Sequence, residues 1–324
     1  MSDTALDERH RPPATPTRGH PCPDRRPVVA LEAGATYLTG YALGSDGVLR
    51  AEGRWFTRPE RGPDAVLESL LACAAALAGQ CRPGAVGVVL PGVVDDTSGR
   101  VVRSTALGWR DVPLQDWAAE HLDLPVVVRH DGRTGALAEA RAGAGRGCRD
   151  LLFVAVGDGI AASVVGATGA APDDPCRAGE LGHTVVRAGG DLCHCGARGC
   201  LETVASTAAV ARRYARMTGL RGVDVREVYR RADAGEPAAL AVRGRVVAAL
   251  ADALATAIGT YAPERVVVGG ELAEAGVAPL RAALADRLAG PAVPELLPAR
   301  FGGRAAGTGA ALLARDMARA HAGR

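Results

Sequence analysis

After residue 27, short apolar runs alternate with longer segments of helical periodicity along the whole chain. Val28–Leu31 reads V-V-A-L, a buried-strand pattern that runs into E-A-G-A-T at 32–36. Y-L-T-G-Y-A-L-G predicts a second strand, Asp46-Gly47 a hairpin turn, and V-L-R-A-E-G-R-W-F a third strand. A helix is expected over 64–80, with Leu67, Leu70, Leu71 and Ala74 on one face. The strand A-V-G-V-V-L leads into Pro91-Gly92; V-V-R-S and A-L-G-W-R-D-V-P follow, and Pro113 opens a short helix. P-V-V-V-R is again a buried strand, ending at His130, Asp131 and Gly132 before a helix over 134–142.

The second half repeats this beginning. D-L-L-F-V-A-V, the turn Gly157-Asp158-Gly159 and I-A-A-S-V-V form another strand–glycine-turn–strand unit, which suggests an internal duplication. Helices are expected over 201–217, 225–234 and 238–261, then the strand R-V-V-V ending in Gly269-Gly270, and a last helix over 307–320. The pattern defines an α/β protein with an N-terminal domain over 28–130, which the closing helix would complete, and a larger domain over 131–306. Residues 1–27 are polar and rich in Pro, Arg and Asp, the composition of a disordered tail.

Composition narrows the function. At 324 residues the chain holds two domains, and 48% apolar content supplies a sizeable core. Aromatic residues make up only 3%, so the core must be Ala, Val and Leu, and a nucleic-acid surface built on stacked rings is excluded. A net charge of +2 gives no general pull toward nucleic acid or an anionic membrane. All 38 basic side chains are Arg, which rules out lysine chemistry. Eight cysteines with no leader-like apolar segment point to a reducing, cytoplasmic compartment, and no run approaches bilayer-spanning length.

Chemistry concentrates in Glu180–Glu202, E-L-G-H-T-V-V-R-A-G-G-D-L-C-H-C-G-A-R-G-C-L-E. Cys193, Cys195 and Cys200 stand in a C-x-C-G-x-x-G-C arrangement whose glycines permit the tight turning that aims three sulfurs at one point. Zinc asks for four such ligands in a tetrahedron. His183 is the expected fourth, because His194, set between two cysteines, should point away from them; a disulfide or idle thiols are the alternative. Glu180 and Glu202 flank the loop and suit a polyol pocket. Asp131, at the carboxyl end of a strand, is placed equally well for a general base or a helix cap. The E-A-G-A-T turn can cradle a phosphate or serve the hairpin sterically.

E-L-G-H at 180–183 and C-H-C-G-A-R-G-C-L-E at 193–202 resemble the E-x-G-H and C-x-C-G-x-x-G-C-x-E motifs of the ROK family. Weaker echoes are E-A-G-A-T, L-P-G-V-V-D, G-D-G-I and V-V-V-G-G. The resemblance implies an actin-like/hexokinase-type (ribonuclease H-like) two-domain fold with a duplicated core and a zinc loop over 183–200. It implies ATP, with magnesium, between glycine turns that include Glu32, Gly34, Thr36, Gly157, Gly159, Gly269 and Gly270. It further implies a sugar held by Glu180, His183 and Glu202, Asp131 as the base on its primary hydroxyl, and a homodimer. This sequence departs from the family at Glu32 and Ala35, at Asp158, Ala161 and Ala162, and at His130, a position that touches sugar and normally carries Asn. A hexose or modified-hexose kinase is expected, an amino sugar or cyclitol among its substrates. The alternative is a ROK-type sugar sensor or transcription regulator that binds without catalysis, although the 27 polar residues cannot fold into a winged helix-turn-helix.

Overall fold

The structure, a computed structural model, describes residues 26–166, 169–170, 180–271, 277–288 and 293–322. The expected tail and two of the scattered cysteines, Cys22 and Cys176, lie outside the described residues apart from positions 26–27. The chain divides into two compact units, one ending at His130 and resuming from Ala310, the other running Asp131–Gly309.

In the first unit, β1 (Val28–Ala33), β2 (Tyr37–Leu43) and β3 (Leu49–Phe56) form an antiparallel meander. Strands β4 (Val86–Leu90) and β8 (Val126–His130) add to it in parallel, giving the order β3-β2-β1-β4-β8. Every side chain of β4 is buried, which is why the central parallel strand reads as an unbroken apolar run and not as an alternation. A small second sheet, β5 (Val93–Asp95), β6 (Arg100–Ser104) and β7 (Trp109–Val112), stands between them in sequence and leads into α2 (Leu114–Leu122).

Helix α1 (Pro63–Cys81) buries Val66, Leu70, Cys73, Ala74 and Leu77 in the core shared with β1, β2 and β4. Leu67 and Leu71, expected on that face, lie at its margin, only partly buried. At 19 residues with a mean hydropathy of 1.3, α1 does reach bilayer-spanning length, contrary to the sequence expectation. Its i, i+4, i+7, i+8, i+11 stripe nevertheless packs into the core of this unit, as an amphipathic core helix does.

The second unit repeats the same sheet. Strands β9 (Leu151–Val156), β10 (Ile160–Gly166) and β11 (Gly169–Ala170) are antiparallel, and β12 (Arg265–Gly270) and β13 (Glu295–Pro298) add in parallel in the order β11-β10-β9-β12-β13. One face packs Leu152, Val154, Ile160, Val266 and Val268 against a helical layer. That layer comprises α4 (Glu202–Ala205), α5 (Thr207–Thr218), α6 (Val225–Asp233), α7 (Pro237–Tyr261) and α8 (Ala278–Arg287). The other face packs Leu151, Phe153, Val165 and Val267 against Ala136 of α3 (Asp131–Ala142) and Ala305 of α9 (Ala305–Ala322).

The single helix expected over 201–217 is two. Ser206 takes an extended conformation, φ −68° and ψ 157°, and its hydroxyl accepts from the Ala209 N–H, so α5 starts on a conventional serine cap.

The carboxylate of Glu139 on α3 is fully buried. It accepts from the backbone N–H groups of Ala144 (2.7 Å), Phe301 (2.8 Å) and Arg300 (3.1 Å). Three N–H donors replace its hydration shell and tie the end of α3 to the segment before α9. Truncation by Glu139→Ala strands these donors, so a stability loss on the order of 3 kcal/mol is expected from a urea titration, with Glu139→Gln intermediate. Equal midpoints for wild type and Glu139→Ala would refute this role.

Candidate active site

The loop after His183 folds back on itself by bridges between Val185 and Cys200 and between Leu192 and Arg198. Gly199 has φ +81°, and a β-carbon there would overlap the carbonyl oxygen of Arg187, so only glycine closes the loop. The result gathers the ligand atoms of His183, Cys193, Cys195 and Cys200 within 4.8 Å of one another. Cys195 and Cys200 sulfurs lie 3.6 Å apart, and Cys193 Sγ is 3.5 Å from His183 Nδ1. Tetrahedral zinc with Zn–S near 2.3 Å and Zn–N near 2.0 Å requires ligand–ligand separations of about 3.5–3.8 Å. The four side chains therefore fit the ion. Burial pushes the Cys200 thiol up to about 12, so a cation is what would hold it as thiolate. Exposed Cys195 lies below the ordinary thiol range, chiefly because the Ala197 N–H faces it.

The same histidine reaches the other way. Its Nε2 is 3.2 Å from a Glu180 carboxylate oxygen, so one ring would join the metal set to the acid through its two nitrogens. Glu202, largely buried, opens α4. One of its oxygens accepts from the Ile160 N–H at 3.2 Å, and the other stands 3.2 Å from His194 Nδ1. Gly182 lies against this carboxylate: a β-carbon there would sit 3.1 Å from Glu202 Oε2 and 2.5 Å from the Ile160 carbonyl oxygen.

His194 does not point away from the loop as expected. It lies 3.9 Å from Cys193 Sγ and packs edge-on against His183 with ring centres 4.9 Å apart. A residue flanked by two cysteines turns back here because Glu202 receives it.

Ile160 follows the Gly157-Asp158-Gly159 turn directly, which places Glu202 beside that turn. Gly157 N–H bonds the Gly159 carbonyl, and its own carbonyl accepts from Thr207 N–H at the start of α5. The Thr207 hydroxyl donates to Asp158 Oδ1 at 2.6 Å, giving the additional carboxylate a partner within the protein. Gly269 and Gly270 end β12 alongside Ala155 and Val156 of β9. At Gly270, φ +77°, a β-carbon would strike the Val156 carbonyl. The two glycine pairs of this unit thus meet at adjacent strand ends.

Asp131 forms the first turn of α3 at the carboxyl end of β8, with Oδ1 accepting from the next residue's N–H, Gly132, at 2.6 Å. This contact orients the carboxylate at the start of the helix, a position that suits a base and a cap alike. His130 ends β8, in register with Leu90. In the first unit, the turn after Glu32 is closed by Gly34 N–H on the Tyr37 carbonyl. Buried Thr57, which the sequence did not single out, secures it: its hydroxyl donates to the Gly34 carbonyl at 2.6 Å and its N–H to the Thr36 carbonyl.

Two sheets of identical order, three antiparallel strands followed by two parallel ones, define the actin-like/hexokinase-type fold. The ROK family model matches residues 28–317, and the chain belongs to that family. A glucokinase of Thermotoga maritima is 31% identical over 277 residues, 80% of this chain and 87% of the glucokinase. A glucokinase of Halalkalibacterium halodurans is 34% identical over 205 residues, 59% of this chain, and the match spans only 62% of that protein. Among solved structures, a ROK family glucokinase from Streptomyces griseus in complex with glucose and AMPPNP aligns with a TM-score of 0.80 at 26% identity. That alignment covers 90% of this chain and 99% of the glucokinase.

Proposed function

We propose that this chain is a sugar kinase that transfers the γ-phosphoryl group of ATP to the primary hydroxyl of a hexose or modified hexose. The observation that carries the reading is the placement of Glu202. It ties the histidine–cysteine loop to the backbone directly after the Gly157–Gly159 turn, so groups suited to sugar hydroxyls and a turn suited to phosphate adjoin. Similarity to glucokinases supports the same conclusion.

In this reading Glu180, His183 and Glu202 accept from and donate to the sugar's hydroxyls, and His130 contacts the ring where a modified sugar would differ. Zinc held by His183, Cys193, Cys195 and Cys200 is structural and supplies no chemistry of its own; it fixes the imidazole and, through the loop, the two acids. Asp131 takes the proton from the primary hydroxyl as the oxygen attacks phosphorus. The turns at Gly34 and Thr36, at Gly157 and Gly159 and at Gly269 and Gly270 let backbone approach the nucleotide closely, with Glu32 at the first of them, and magnesium accompanying ATP would neutralise charge on the transferred group.

Purified protein with ATP and magnesium is expected to release ADP on at least one of glucose, mannose, their N-acetylated forms and amino hexoses. Saturable sugar binding with no turnover on any member of the panel would overturn the kinase reading in favour of a sugar sensor.

A further inference from the structure

Behind the short helix that carries Glu202, the second unit holds a cavity of about 80 Å³ between α5, α7 and the metal loop. Its floor is apolar, from Val242 and Val246, and its walls carry Arg212, Arg213, Arg216, Arg245 and Asp191. None of Glu180, His183, Glu202 or Asp131 lines it. Four arginines thus line one space with a single carboxylate residue. Asp191 reaches only Arg216, at 3.8 Å, and both side chains are exposed there. Among the described residues, Arg212, Arg213 and Arg245 have no carboxylate within ion-pair distance.

Such an arrangement works against its own stability. Arg212 and Arg216 stand at i and i+4 on α5, a spacing at which like charges repel. Arg245 is partly buried on α7, and its basicity is lowered first by that burial and then by the neighbouring Arg187 and Arg213. Because every basic residue of this chain is Arg, the choice of Arg over Lys carries no weight here; the clustering does. A bound anion removes the repulsion, and the guanidinium fork matches the oxygens of a phosphate in paired hydrogen bonds. Size sets the rest. A single water needs roughly 10–15 Å³, so the cavity has room for a phosphate group.

We propose that this arginine-lined cavity is a phosphate-binding site, separate from the nucleotide and sugar positions, that takes a phosphate group either free or carried on a small sugar. The test is isothermal titration of the full chain with inorganic phosphate, with a hexose 6-phosphate and with the free hexose, on wild type, Arg213→Gln and Arg245→Gln. Arg213 is exposed, so its substitution leaves the core untouched, and circular dichroism of both variants checks folding.

Each variant is expected to raise Kd for inorganic phosphate about tenfold or more, the loss of one charge-assisted hydrogen bond, with free hexose binding unchanged. Tighter binding of hexose 6-phosphate than of phosphate, lost in the same variants, identifies the sugar-borne form; equal binding identifies the free anion. Absence of phosphate binding, or binding that both variants retain at wild-type strength, overturns the proposal. The readout is binding alone, so it is independent of whether ADP is released.

Discussion

Asp131→Asn is expected to lower kcat about 10²–10⁴-fold, the range that a positioned general base contributes. The substitution is nearly isosteric and keeps an acceptor oxygen for the Gly132 N–H, which orients the group at 2.6 Å. What it removes is the basic lone pair and the negative charge that the N-terminal end of α3 favours. The loss should therefore fall on kcat, with sugar Kd within about twofold of wild type, the signature of an interaction made in the transition state. Steady-state kinetics combined with sugar binding by tryptophan fluorescence or titration calorimetry separates the two. A kcat within tenfold of wild type would place the base elsewhere.

Cys195→Ser is expected to empty the metal site. Elemental analysis should give about one zinc per wild-type chain and close to none in the variant, since a hydroxyl is a poor substitute for thiolate in a tetrahedral set. Cys195 is the informative choice because it is exposed, whereas Cys193 and Cys200 are buried and their replacement would also disturb packing. Structural zinc contributes apparent binding energies of roughly 10–16 kcal/mol in small peptide systems. If even ~3 kcal/mol of that is felt here, Tm falls by roughly 6–12 °C. Sugar KM should rise in parallel, because His183 and Glu202 lose the loop that places them. Chelation of the wild type should reproduce both effects. A variant that retains stoichiometric zinc, or a metal-free wild type of unchanged Tm, would remove the metal from the account.

Much of this was legible in the sequence for local reasons. The buried strands announce themselves as apolar runs, the strand–glycine-turn–strand units appear twice, and Cys193, Cys195, Cys200 and His183 sit close enough in sequence for their convergence to be read from spacing and two glycines. What escaped was set by contacts from distant segments. Glu139 looks like an ordinary surface glutamate on an Ala-rich helix, and only the arrival of Arg300 and Phe301 makes it a buried anchor. Thr207 has no signal of its own until Asp158, 49 residues away, meets its hydroxyl. His194 was expected to turn away from both cysteines; its side chain stays exposed but lies over Cys193 and reaches Glu202, a partner that the local sequence does not reveal. The break at Ser206 was hidden for a different reason: A-S-T-A-A reads as continuous helix, and the serine caps the second segment without the acidic partner three residues on that usually marks a start.

The central claim is that a metal-held pair of acids and an imidazole present a sugar's primary hydroxyl to Asp131 for phosphorylation. Phosphorus NMR of the product formed from ATP and the best-turned-over hexose tests it most directly. A phosphomonoester resonance coupled to the two protons of the exocyclic methylene group is the predicted result, growing at least about 100-fold more slowly in a parallel incubation with Asp131→Asn. A phosphate coupled instead to the anomeric proton, or no sugar phosphate from any hexose tried, would contradict it.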